Sequence, residues 1–265
     1  MILPGESLGI LGGGQLGRMF TVAARTMGYD VVVLDPDPDS PAAAMASEHI
    51  CADYDDETAL DRLASRCAAV TVEFENVPAS SLEWLSTHIP VRPSADAIRI
   101  ARNRILEKKT IREAGLKTVD YHVIESRDDI APAVKKITFP AILKTATLGY
   151  DGKGQVVIQQ PGELDASFTD LGNKPCVLEQ QIDLKCEISV VLARGISGQT
   201  EMFAPGENRH KNGILDISIV PANIDSSIRD KAAEMAQKLA QELDYCGVMA
   251  VEFCVDDSKQ LMINE

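Results

Sequence analysis

Basic residues are the first shortage. The chain sets 26 Lys+Arg against 40 Asp+Glu, a formal charge of −14. A surface so acidic argues against nucleic acid or an anionic membrane as the main partner. It leaves room for a small phosphate ligand, which a few backbone N–H groups and lysines can bind against the global field. The excess is also uneven. Residues 1–100 hold 15 acids and 6 bases, whereas residues 101–265 hold 25 acids and 20 bases. Cysteine is sparse too. Cys51, Cys67, Cys176, Cys186, Cys246 and Cys254 include no Cys-x-x-Cys spacing, which excludes an ordinary zinc site or disulfide framework. No apolar run approaches the length that spans a bilayer, and no basic segment precedes an apolar run at the N-terminus. The expected compartment is cytoplasmic. Internal repeats and low-complexity segments are lacking as well.

What remains is an α/β and α+β pattern. Ser7 to Leu11 reads as a buried strand, followed by Gly12, Gly13, Gly14 and Gly17 and a helix to about Met27. A strand over 31–35, one near Ile50, a helix over 57–66 and a strand over 69–73 continue the alternation. Strands alternating with helices predict a parallel sheet covered on both faces, a Rossmann-like module over residues 1–93. Residues 94–116 read as one connecting helix from a Ser94 cap to a Gly115 stop. Beyond it lie a smaller α+β unit over 117–186 and a mostly antiparallel sheet over 187–265, with a helix over 226–243 capped by Asp225. The pattern stops at Glu265 inside an apolar strand, so a further segment is expected to follow.

Gly12-Gly13-Gly14-Gln15-Leu16-Gly17 fits G-x-G-x-x-G after a strand, and Asp35 ends the next strand. Alone, these features suggest a dinucleotide site. The alternative is a glycine turn that any such module needs. Glu73-Phe74-Glu75-Asn76 follows the fourth strand, where open α/β sheets place ligands. A carboxylate there suits an amine or ribose hydroxyls.

A second glycine run, Gly149-Tyr150-Asp151-Gly152-Lys153-Gly154-Gln155, follows Lys144 at a strand end. It reads either as a hairpin tip or as a mobile cover over a nucleotide triphosphate. Glu179-Gln180-Gln181-Ile182 ends another strand and could face an adenine edge; Glu187 could accept ribose hydroxyls. Glu252 and Glu265 lie in two strands joined by Asp256-Asp257-Ser258-Lys259-Gln260. A four-residue loop over 256–259 or 257–260 places both acids on one sheet face, with Cβ atoms about 5 Å apart when directly opposite. Such a pair repels unless a cation lies between, and Mg²⁺ suits two carboxylates plus phosphate oxygens. Asn264 could add an amide oxygen. His210 lies in a polar loop over 207–213, a surface histidine or an anion contact.

In this order the residues resemble ATP-grasp enzymes. Gly13 to Met19, Glu73-Phe-Glu-Asn-Val-Pro78 and Gly149 to Gln155 together resemble, more narrowly, the N5-carboxyaminoimidazole ribonucleotide synthetases, the ATP-dependent subunit of phosphoribosylaminoimidazole carboxylase. The resemblance implies a pre-ATP-grasp domain over 1–93, a lid subdomain over 117–186 and a truncated large subdomain over 187–265. The final small domain of the family would be absent. It implies a ligase of purine biosynthesis that uses ATP, Mg²⁺ and bicarbonate to carboxylate aminoimidazole ribonucleotide through carboxyphosphate. By the same resemblance Arg104 and Lys144 contact the phosphates and the loop Gly149, Tyr150, Asp151, Gly152, Lys153, Gly154, Gln155 closes over them. Glu179, Gln180, Gln181 and Ile182 meet adenine, Glu187 meets ribose, and Glu252 and Glu265, beside Asn264, hold Mg²⁺. Tyr150, Lys153 and His210 serve carboxyphosphate, and Gln15, Leu16 and Glu73 belong to the ribonucleotide pocket. A homodimer is implied for the full-length protein. Other ATP-grasp carboxylate–amine ligases, such as formate-using glycinamide ribonucleotide transformylases, a nucleotide-binding module without chemistry, and an NAD-dependent dehydrogenase remain as alternatives.

Overall fold

The structure is a computed structural model that describes residues 1–74, 76–147, 149, 154–211 and 213–265. The chain divides into two compact units, Met1–Arg99 and Ile100–Glu265. The division falls inside the stretch read as a connecting helix.

The first unit runs β1 (Ser7–Leu11), α1 (Gln15–Thr26), β2 (Asp30–Leu34), β3 (Glu48–Ile50), α2 (Glu57–Arg66), β4 (Ala69–Val72) and α3 (Ala79–Ser86). Its strands form a parallel sheet in the order β3-β2-β1-β4. The strands are almost wholly apolar because both faces are covered. Ile10, Val31 and Val33 pack with Ala24 of α1 on one face. Leu11, Val32 and Leu34 pack with Leu60 and Leu63 of α2 and Leu82 and Leu85 of α3 on the other. This is the double cover expected from the sequence. Asp56 caps α2, its carboxylate accepting from the Ala59 N–H at 2.8 Å. The helix α3, which begins after Pro78, was not expected.

The stretch 94–116 is two helices rather than one, α4 (Ala95–Ala101) and α5 (Arg104–Glu113). Asn103 restarts the helix: its side-chain oxygen accepts from the N–H groups of Ile105 at 2.9 Å and Leu106 at 3.3 Å. A residue that caps a new helix must leave the old one, because its own backbone is extended. Ser94 and Gly115 do mark the outer ends: Ser94 accepts from Ala97, and Gly115 takes φ +70°.

In the second unit β5 (Tyr121–Ile124), α6 (Ile130–Lys136), β6 (Ala141–Thr145), β7 (Gln155–Ile158), α7 (Leu164–Asp170) and β8 (Cys176–Gln180) follow. Their antiparallel sheet has the order β5-β8-β6-β7 over a core that includes Leu143, Ile158, Phe168 and Leu178. The sequence also suggests a strand from Lys117 to Ile124; only Tyr121–Ile124 forms one, and Thr118 instead bridges to Ile263. The chain closes with β9 (Leu184–Arg194), β10 (Thr200–Met202), β11 (Gly206–Lys211), β12 (Ile214–Ile219), α8 (Ser226–Glu242), β13 (Gly247–Asp256) and β14 (Leu261–Ile263). This sheet runs β12-β11-β9-β13-β14, with β10 on β9. The polar loop expected around His210 is therefore largely strand β11. Among the described residues no helix is long and apolar enough to cross a membrane.

Alternation divides the large sheet into two faces with different tasks. Ile188, Val190, Val251, Phe253 and Val255 pack under Ala232, Met235, Ala236 and Leu239 of α8. The intervening residues, Glu187 and Ser189 on β9 and Glu252 and Cys254 on β13, share the other face. The buried face holds the strands rigid, so the polar face can keep unfavourable charges close together.

Candidate active site

In the first unit the glycine turn is already filled. Glu73, just past β4, accepts from the Gly14 N–H at 3.1 Å. A Cβ on Gly14 would come within 2.5 Å of the Glu73 carboxylate, and one on Gly12 within 2.7 Å. These glycines therefore make space for a carboxylate, at the place where a dinucleotide fold admits a pyrophosphate. A fixed negative charge repels that pyrophosphate. Asp35 is not available for ribose either. One of its oxygens accepts from the Gly13 N–H at 2.7 Å and the Tyr54 hydroxyl at 2.8 Å, and the other from the Asp37 N–H at 2.8 Å. The dinucleotide alternative loses both of its supports. Gln15 and Leu16 open α1 beside this turn, both exposed, so the turn brings together the three residues expected to meet the ribonucleotide.

In the second unit the expected nucleotide residues converge on the polar sheet face and α5. Glu187 lies across from Asn208, and His210 Nδ1 lies 2.5 Å from Glu187 Oε2. The hairpin of β13 and β14 differs from both expected loops. Phe253 pairs with Ile263, which sets Asn264 across from Glu252. The Glu252 N–H donates to the Glu265 carbonyl at 2.8 Å, while the Asn264 N–H donates to the Glu252 carbonyl at 2.8 Å. Two residues thus oppose one, as in a β-bulge, and a bulge re-aims side chains that strict alternation would send to opposite faces. The two acids still act on one another. Burial raises the Glu252 carboxyl, and the charges of Glu265 and Glu187 raise it further, against His210 and Lys144. Such crowding is what a divalent cation relieves. The donor set fits Mg²⁺, which takes one or two carboxylates and completes its shell with phosphate and water. Among the described residues no group of three or more His, Cys, Asp and Glu side chains is arranged to hold a metal alone.

Opposite charge borders this acidic patch. Arg104, the first residue of α5, pairs with the Glu265 carboxylate and donates to the Gly149 carbonyl at 3.3 Å. Lys144 on β6 lies 2.8 Å from one oxygen of Glu179, and Lys108 on α5 lies 2.8 Å from the other. Burial by itself would raise the Glu179 carboxyl; the ammonium groups of Lys144 and Lys108 overcome it and bring it down to about 2. The Glu179 side chain is therefore an ionic hub. Gln180 and Gln181 donate their N–H groups to the Asp120 and Pro140 carbonyls.

The glycine run joins β6 to β7, which pair Lys144 with Gln155. Gly154 has φ +71°, a value that favours glycine, and its carbonyl accepts from Thr145 at 2.8 Å. Tyr150, Asp151, Gly152 and Lys153 lie outside the described residues. Sequence reasoning missed Lys108 and Glu107. Lys108 falls one helical turn after Arg104, a spacing that puts both on one helix face. Burial, then the charge of Glu265, push the Glu107 carboxyl up to about 8.

Comparison with known proteins agrees with both halves of the chain. A family model for the ribonucleotide synthetase preATP-grasp domain matches residues 6–102, and one for the ATP-grasp domain matches residues 109–265. The N5-carboxyaminoimidazole ribonucleotide synthase of Bacillus subtilis is 40% identical over 265 residues, which is 100% of this chain and 70% of that protein. The crystal structure of the Staphylococcus aureus N5-carboxyaminoimidazole synthetase complexed with ADP superposes with a TM-score of 0.95 at 40% identity, covering 100% of this chain and 70% of that one. The Aspergillus clavatus synthase in complex with ADP and 5-aminoimidazole ribonucleotide gives 0.89 at 26% identity, covering 98% and 69%. Geometry, family match and sequence identity together make this chain a member of the N5-carboxyaminoimidazole ribonucleotide synthase family of ATP-grasp enzymes.

Proposed function

We infer that the chain is an ATP-dependent ligase that carboxylates 5-aminoimidazole ribonucleotide with bicarbonate. The products are N5-carboxyaminoimidazole ribonucleotide, ADP and phosphate. The observation that carries this reading is the polar sheet face, where Glu187, Glu252 and Glu265 crowd one another beside Lys144 and Arg104. An acidic pair bordered by basic groups suits a metal-bound polyphosphate.

Glu252 and Glu265 would hold Mg²⁺, with Asn264 beside them. When bound, the ion supplies charge neutralisation of the transferring phosphoryl group. Arg104 exchanges the Glu265 carboxylate for a phosphate oxygen, and Lys144 presents its ammonium to the same phosphates. The backbone after Glu179, including Gln180, Gln181 and Ile182, lies along the adenine edge. Glu187, oriented by His210, accepts the ribose hydroxyls. The loop from Gly149 to Gln155 closes over the phosphates, and Tyr150 and Lys153 shield carboxyphosphate from water, to which it is easily lost. In the first unit Gln15, Leu16 and Glu73 receive the ribonucleotide. The Glu73 carboxylate suits its amino group, which the glycine turn would place against a negative charge. A homodimer and a cytoplasmic location complete the reading.

Phosphate release from ATP tests it. Release should require bicarbonate and aminoimidazole ribonucleotide together. If formate with glycinamide ribonucleotide drives release instead, the substrate assignment is wrong. If nucleotide binds with no turnover under any pairing, the non-catalytic alternative gains.

A further inference from the structure

Lys108 is among the largest fully buried side chains of the described residues, with 1% of its surface exposed. Buried lysines are costly unless paired, and this one is paired to a carboxylate that already has a partner. Glu179, 3% exposed, takes Lys108 on one oxygen and Lys144 on the other, both at 2.8 Å. A single lysine would suffice to neutralise Glu179. The second gives the trio a net charge of +1. Lys144 alone reaches the surface, with 12% of its side chain exposed. Lys108 also lies 3.5 Å from the Asn264 carbonyl, which leaves it in touch with protein groups only.

We propose that Lys108 is a positioning residue that satisfies Glu179 from within, so that the charge of Lys144 is left to act on the phosphates of a bound nucleotide. Without Lys108, Lys144 and Glu179 form a neutral pair, and the strand end that meets the nucleotide offers it no net positive charge. Lys108 needs no contact with the ligand to do this. It works by the number of charges at Glu179, and the inference rests on the nucleotide reading of the site given above.

Calorimetric titration with ADP and with adenosine, in the presence of a chelator so that no metal contributes, tests it. The readout is the ratio of the two affinities. Lys108→Met should lower the ADP-to-adenosine ratio about tenfold, because only ADP carries the charge that Lys144 serves. The same substitution in a Glu179→Gln background removes one of two unpaired ammonium groups, and the ratio there should return to that of the wild type. A role in packing alone would weaken ADP and adenosine together and leave the ratio unmoved; that result overturns the proposal. A double variant whose ratio stays far from wild type overturns it too. Should Lys108→Met fail to fold, Lys108→Gln, which keeps a polar group beside Glu179 and removes the same charge, takes its place with the same expected fall in the ratio. If the wild type binds neither ligand, the nucleotide reading itself falls and takes the inference with it.

Discussion

Glu252→Gln should make the protein more stable and less able to bind its metal–nucleotide complex. Glu252 is partly buried on β13, its carboxyl raised by burial and by the charges of Glu265 and Glu187. Removing one of several like charges on neighbouring strands relieves about 0.2–1 kcal/mol. For a chain of this size that corresponds to a rise of about 0.4–2 °C in Tm without metal. Gln is isosteric and keeps a carbonyl oxygen, so the backbone pairing of Glu252 with Asn264 and Glu265 is retained. Binding moves the other way. Truncating one partner of a desolvated charge pair costs about 2–5 kcal/mol, at the low end about thirtyfold in affinity. Scanning calorimetry without metal, and ADP titration at several Mg²⁺ concentrations, measure the two effects. The opposed signs are the diagnostic feature, because strain held at a site for function appears as stability once it is released. A variant with lower Tm and an unchanged Mg²⁺ dependence would refute the assignment of Glu252 as a ligand.

Three further perturbations follow from the same geometry. Gly14→Ala places a Cβ within 2.5 Å of the Glu73 carboxylate and should raise the KM for aminoimidazole ribonucleotide at least about tenfold, with ADP affinity unchanged by titration. Glu107→Gln should flatten the pH dependence of stability. The folded carboxyl titrates near 8 against a usual 4.5, so the unfolded chain releases its proton first and wild-type stability falls as pH rises through that window. Melting curves of variant and wild type should coincide near pH 4 and separate by about 1 kcal/mol or more, in favour of the variant, above pH 8. Asn103→Ala removes the side chain that caps α5 and should cost about 1 kcal/mol in urea denaturation.

Much of this was legible before the structure. The parallel sheet of the first unit follows from apolar runs interrupted by amphipathic helices, and α2 covers the stretch read as a helix over 57–66. Of the polar face of the large sheet, Glu252 and Glu265 were legible together, but Glu187 was not placed with them. Strand β11 was not legible, because Gly-Glu-Asn-Arg-His-Lys has no apolar alternation. Its residues are polar and its second half is exposed, so the usual signal for a strand is absent. The hairpin register escaped because a bulge at Asn264–Glu265 changes which residues share a face, and nothing in residue type announces one. The break between α4 and α5 had a visible cue in Asn103, outweighed by the apolar period around it. Lys108 escaped for another reason: a lysine on a helix is almost always solvated, and only the fold reveals the carboxylate beside it.

The sign of the charge at each glycine-rich segment separates two ligands that the glycines alone do not. At the first turn the absence of Cβ atoms on Gly12 and Gly14 admits the Glu73 carboxylate, and the Gly14 N–H, which could have held a phosphate, is drawn to it. At the second run the flanking strand carries Lys144, and the helix facing it carries Lys108 and Arg104. On the function proposed above, the first turn would take an amine or hydroxyl ligand and the second a polyphosphate. This also explains how a chain with a net charge of −14 handles anions. Fields within about 8–10 Å of a buried group are set by its neighbours, since solvent ions screen more distant surface charge. In direct contact with Glu179 are two lysines for one acid. A phosphate arriving there meets that local surplus, and the acids spread over the rest of the surface govern solubility instead.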